Sequence, residues 1–409
     1  MTRVYALALG VLTAFGGFVD IGDLVAGSLI GARFGLSLAW VMVVAIVGIC
    51  LYAEMSGRIA AVSHRPVFDL VRERLGPRAA LANLSASFLI TLLTLAAEIG
   101  GAALALQLVT GVSHLLFVPV IMLTAWLVIW RLKFSIMENV FALGGLGLLA
   151  FAVALWVLRP DWGELAGQAL HPSLPEQEGL PTYFYYAIAL FGGAMTPYEV
   201  FFFSSGGVEE RWSRKDLLTS RMNVFVGFPL GGMLSLSIAA CAAVVFQPAS
   251  VQVDSLSQVV LPTVVGLGQA GFAFVILGIF AATFGATLEA ALSCGYTVAQ
   301  YFGWQWGKFV APVKAARFHT VVLVSLLIAG MGILTTVDPI TVTEYSLVFS
   351  AIALPLTYLP VLVVANDAQF MGDKVNGRIS NLFGSVYLVL LLVVALAAIP
   401  LMIATKAGE

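Results

Sequence analysis

Gly16-Gly17-Phe18-Val19-Asp20-Ile21-Gly22-Asp23 and, far downstream, Gly192-Gly193-Ala194-Met195-Thr196-Pro197-Tyr198-Glu199 are the two stretches on which the fold turns. Each lies near the middle of a long apolar segment, and each sets glycine, in one case with proline, beside carboxylates. Glycine loosens a helix and proline removes a backbone donor. Both stretches are therefore expected sites of unwinding, with Gly22 and Pro197 as the helix breakers.

The surroundings are those of a membrane protein. Of 409 residues, 60% are apolar and 10% charged, and the mean hydropathy is +1.00. Soluble chains carry roughly a quarter charged residues, and a bilayer core of about 30 Å asks for about 20 apolar residues per helix. Eleven spans fit, at about 4–32, 36–57, 80–110, 113–130, 138–158, 182–206, 220–246, 269–302, 318–337, 342–366 and 380–405. The expected class is an all-α polytopic membrane protein, with residues 1–409 as one transmembrane domain. The net charge of −2 gives no case for a nucleic-acid partner. Cys50, Cys241 and Cys294 lie inside apolar runs without metal-ligand spacing and read as small core residues.

Lysine and arginine set the expected orientation, because cytoplasmic loops collect them. With the N-terminus inside, 17 of the 20 basic residues fall on the cytoplasmic side, leaving Arg33, Arg159 and Lys406 outside with the C-terminus. An even number of spans would break this separation.

The two interrupted spans, one and six, are five helices apart. Interruptions at matching positions in two halves point to an inverted-repeat transporter with its substrate at the membrane midplane, where irregular backbone is tolerated because it lines a cavity. An ionised acid at that depth costs about 3 kcal/mol, and Asp20, Asp23 and Glu199 accept that cost within two short segments. Carboxylate oxygens suit hard cations such as Mg2+, Ca2+ and Mn2+. His64, His114, His171 and His319 all fall in loops or at span ends. A lone membrane acid can equally well serve a kink or a neighbouring helix, which is the plainer reading of Glu54, Glu289 and Glu344.

These residues resemble the NRAMP family of divalent metal transporters. Where that family carries Asp-Pro-Gly-Asn in its first helix, this chain has Asp20-Ile21-Gly22-Asp23; where the sixth carries Met-Pro-His-Asn, it has Thr196-Pro197-Tyr198-Glu199. Span three reads Ala97-Glu98-Ile99-Gly100, similar to the family's Ala-Glu-Val-Ile-Gly. The resemblance implies a LeuT-type fold: inverted repeats at about 4–158 and 182–366, and an eleventh helix at about 380–405. It also implies a metal held by Asp20, Asp23 and Thr196, by Glu199 beside them, and by backbone carbonyls near Gly17 and Gly193.

The departures from the family pattern suggest an ion. A threonine hydroxyl stands where the family's transition-metal members place a soft methionine thioether, and Asp23 and Glu199 replace asparagines. Such a site is roomier, harder and more negative, and suits Mg2+, which keeps much of its water. The nearest likeness is then to the NRAMP-related magnesium transporter branch, with Mn2+ as a further substrate. Leu95, Tyr198 and Phe203 occupy positions where coupled members have an aspartate and two histidines. Glu98 keeps its place, with Glu289 and Tyr198 as the other relay candidates. The expectation is uncoupled, alternating-access transport by a monomer in a bacterial inner membrane. It needs no cofactor beyond the transported ion and no enzymatic activity. The alternative is a proton-coupled Mn2+ or Fe2+ transporter. More remote are an organic-solute carrier of the same fold and an intramembrane protease, whose Tyr-Asp motif occurs nowhere in the chain.

Overall fold

Glycine and proline punctuation divides an almost wholly helical chain. The computed structural model describes residues 19–132, 134–175, 178–249 and 251–408. Among them, ten helical segments are long and apolar enough to cross a membrane: Ala39–Ser63, Val67–Thr110, His114–Arg131, Asn139–Leu158, Leu180–Glu209, Leu217–Ala249, Leu256–Phe302, Ala316–Leu334, Pro339–Ala365 and Arg378–Ala404. They correspond in order to expected spans two to eleven. Span one is represented by Ile21–Phe34, while Gly17 and the rest of its first half lie outside the described residues.

Besides helix Trp162–Leu170 after span five, two of the segments expected as connections contain a helix that leads into the next span. Val67–Thr110 turns sharply at Gly76 (φ 82°, ψ 166°), so residues 67–75 form a short helix ahead of span three. Leu256–Phe302 does the same at Gly268 (φ 63°, ψ −146°), with 256–267 ahead of span eight. Both backbone conformations belong to glycine. These paired devices, in helices five spans apart, support the internal repetition that the two breaks suggest.

Spans three and eight pack against one another more extensively than any other pair of elements, and span ten lies along span three. This triplet backs the interrupted helices. Helix Ile21–Phe34 packs along Phe228–Phe246 of span seven through one face bearing Asp23, Gly27 and Gly31. A Cβ at Gly27 would sit 3.4 Å from the Ser235 carbonyl oxygen, and one at Gly31 would collide with the Ala239 backbone. Small residues let membrane helices approach this closely.

Candidate metal site at the helix breaks

Span six is broken for local reasons. Pro197 disfavours the helical region for the residue before it, and Thr196 is extended (φ −62°, ψ 133°) between helices Leu180–Ala194 and Pro197–Glu209. Pro197 then opens the second helix, where its missing N–H costs nothing. The hydroxyl of Tyr358 donates to the Met195 carbonyl at 3.3 Å, satisfying one acceptor that the break exposes. Asp20, also extended (φ −114°, ψ −172°), caps Ile21–Phe34, its Oδ1 accepting from the Asp23 amide at 3.1 Å.

The two breaks meet over one side chain. A Cβ on Gly22 or on Gly193 would each stand 2.8 Å from Cδ2 of Leu347 in span ten. Gly192 rests against the backbone of the same helix at Leu347 and Ala351. From span three, Glu98 reaches the first break, its Oε1 accepting from the Ile21 amide at 3.3 Å. Asp20 lies close enough to act electrostatically on Asp23, Glu98, Glu199 and Tyr198, and Glu289 of span eight on Glu98, Glu199 and Tyr198. The fold therefore gathers the side chains singled out in the sequence; the backbone at Gly17 is outside the described residues.

Capping explains only part of this arrangement. Asp20 is a conventional N-cap. Thr196 and Glu199 have the spacing of a capping box, yet Thr196 makes no side-chain cap bond. Thr196 Oγ1, Glu199 Oε2, Glu98 Oε2 and the Tyr198 hydroxyl are all buried without a well-formed hydrogen bond among the described residues, the Thr196 and Glu199 side chains interacting only with each other across the break. Leaving one such group unsatisfied costs about 1–3 kcal/mol, so four in one region mark a place adapted to something other than packing. The donor set is entirely oxygen: carboxylate, hydroxyl and the carbonyls of the breaks. It fits a hard or borderline dication.

No three His, Cys, Asp or Glu side chains among the described residues form a closed cage. The acids share a region without converging on a single point, so carbonyls and hydroxyls must complete any coordination.

Three contributors went unnoticed in the sequence. Ser235 of span seven donates to Asp23 Oδ1 at 2.9 Å and is fully buried. Tyr358 braces the second break and packs edge-on against Tyr52. Leu347 separates the two breaks. A serine in an apolar span was the one available signal; the other two are ordinary membrane residues until the chain is folded.

The sequence matches the family model described as Nramp, natural resistance-associated macrophage protein-like, over residues 10–401. The divalent metal cation transporter MntH of Aeromonas hydrophila is 27% identical over 397 residues, covering 93% of this chain and 92% of its own length. The MntH of Yersinia enterocolitica is 25% identical, covering 93% and 91%. Among solved structures, the Eremococcus coleocola manganese transporter superposes with a TM-score of 0.79 at 19% identity, covering 98% of this chain and 87% of that one. Mhp1, a nucleobase-cation-symport-1 family transporter, superposes at 0.57 with 16% identity, covering 97% and 92%. These likenesses establish the LeuT-type architecture.

Proposed function

Because the chain belongs to the natural resistance-associated macrophage protein-like family, we propose that it carries a divalent metal cation across a membrane by alternating access. The observation that carries this reading is the meeting of two helix breaks over Leu347, with buried acids from spans one and three and the half-buried Glu199 of span six around them. Spans one and six would rock with their neighbours against the triplet of spans three, eight and ten. Asp20, Asp23, Thr196 and Glu199 would hold the ion, with carbonyls near Gly17 and Gly193.

For the ion, relatives and side chains point differently. The relatives' names speak of manganese and of divalent cations generally, which favours a proton-coupled Mn2+ or Fe2+ carrier and lends no support to magnesium. The second reading, Mg2+, is favoured by one observation: the buried hydroxyl of Thr196 occupies the position of the family's thioether, beside a carboxylate in Glu199. In a coupled carrier, Glu98, Glu289 and Tyr198 are the relay candidates. In an uncoupled one the membrane potential suffices, since two charges crossing 100 mV are worth about 4.6 kcal/mol.

Uptake into proteoliposomes holding an ion indicator, with a pH dye recorded in parallel, separates these readings. Mn2+ entry with acidification of the lumen identifies the coupled carrier. Mg2+ entry without acidification identifies the hard-ion one. Failure of every dication to enter an intact, oriented preparation would refute transport altogether.

A further inference from the structure

A second polar site lies away from the breaks, on the face that the lysine and arginine distribution assigns to the cytoplasm. It is a cavity of about 390 Å³ between the end of span two, the start of span seven and the connection leading into span eleven. Glu54, Arg58, Arg221, Phe225, Lys374 and Ser380 are among its walls.

Its cations differ in what they have left to offer. Arg58 is buried and committed: Nε donates to Glu54 at 3.2 Å, Nη1 to the Lys374 carbonyl and Nη2 to Asn376 Oδ1 at 2.5 Å. Arg221 gives only Nε and Nη2 to Glu54, at 3.0 and 2.9 Å, and is half exposed. Lys374 has only a long pairing with Asp373, at 3.5 Å. Three cations against the two acids Glu54 and Asp373 leave the walls net positive.

The same cavity receives the first turn of helix Arg378–Ala404. Gly377 at its N-cap offers no side chain, and the first intrahelical bond runs from the Asn381 amide to the Gly377 carbonyl at 3.0 Å. The amides before Asn381 are thus open to an acceptor, and the helix dipole favours an anion there. Ser380 adds a hydroxyl. Beside this polar mouth the surface is apolar: Leu218, Phe225, Ile379, Leu382 and Phe383 are all exposed, as expected for side chains meeting acyl tails.

We propose that this cavity binds the phosphate headgroup of an anionic phospholipid of the cytoplasmic leaflet. Arg221, Lys374, Ser380 and the open amides of the last helix would take the phosphate, while the acyl chains follow the apolar flank. Basic pockets between membrane helices on this side are suited to such headgroups. A soluble phosphate would satisfy the polar half but leave the apolar flank unused, so the lipid is the occupant the walls fit. Since span two and span seven both line the cavity, a bound lipid would tie together elements of the two repeats. The inference is independent of which ion is carried.

The test is native mass spectrometry of the full chain released from vesicles of phosphatidylcholine and phosphatidylglycerol, alone and mixed. The wild type should retain phosphatidylglycerol at least tenfold over phosphatidylcholine. Ser380→Asp puts a negative charge in the cavity, breaks no existing ion pair and suits a helix N-terminus. It should abolish that preference, and Arg221→Gln should weaken it. Equal retention of the two lipids by the wild type, or an unchanged preference in folded Ser380→Asp, would overturn the proposal. So would loss of the retained lipid in millimolar inorganic phosphate at constant ionic strength, which would assign the site to a soluble anion.

Discussion

At the scale of single residues, the site is a set of oxygens held by different devices. Asp20 is fixed by capping its own helix, Asp23 by Ser235, and Glu98 by the Ile21 amide, whereas Thr196 Oγ1 and Glu199 Oε2 make no well-formed hydrogen bond. Removing the Ser235 hydroxyl takes a donor from a buried carboxylate. Ser235→Ala is expected to weaken dication affinity about tenfold, or about 1.4 kcal/mol, measured by calorimetric titration; unchanged affinity would show that Asp23 is no ligand. Thr196→Met restores a soft donor, so Cd2+ and Mn2+ should gain on Mg2+ in competition uptake. If the order of preference does not move, the side chain at this position does not set selectivity. The sequence already told much of this, because acids inside apolar spans are conspicuous. Ser235, Tyr358 and Leu347 were not legible: what they contribute depends on neighbours more than a hundred residues away.

At the scale of elements, punctuation decides the architecture. Pro197 and Thr196 end one helix and begin another, and Gly76 and Gly268 turn the chain before spans three and eight. The last two fall in segments that hydropathy alone presents as connections, since short helices of 67–75 and 256–267 show too few turns to declare themselves. Their backbone angles test the point directly. A Cβ at either glycine meets no neighbour, so Gly76→Ala and Gly268→Ala probe conformation without crowding. Each is expected to destabilise the fold by about 1–3 kcal/mol, read as a lower midpoint of thermal unfolding in detergent. Unaltered midpoints would mean that the turns are not needed. Gly31→Val, by contrast, drives a side chain into the Ala239 backbone; it should prise span one from span seven and disturb Asp23 along with it.

At the scale of the whole molecule, the order of spans two to eleven was legible because hydropathy repeats so regularly, and ten crossing helices stand among the described residues. The structure adds what hydropathy cannot express, namely which spans touch. Orientation is a separate expectation that rests on lysine and arginine. Cys50, Cys241 and Cys294 are buried, so single cysteines can be introduced over a low background. Glu164→Cys, on exposed helix Trp162–Leu170, should react with an impermeant maleimide in intact cells, and Lys314→Cys only after lysis. The opposite pattern would invert the topology. Transport itself depends on the acids at the breaks, and above all on Asp20, which caps one half-helix while acting by charge on Glu98 and Glu199. The most direct measurement is dication uptake into proteoliposomes by the wild type and Asp20→Ala side by side, offering Mn2+ and Mg2+ in turn. Uptake by the wild type and none by a variant that remains folded and inserted is the predicted result. Equal rates in the two proteins would contradict a metal site at the helix breaks.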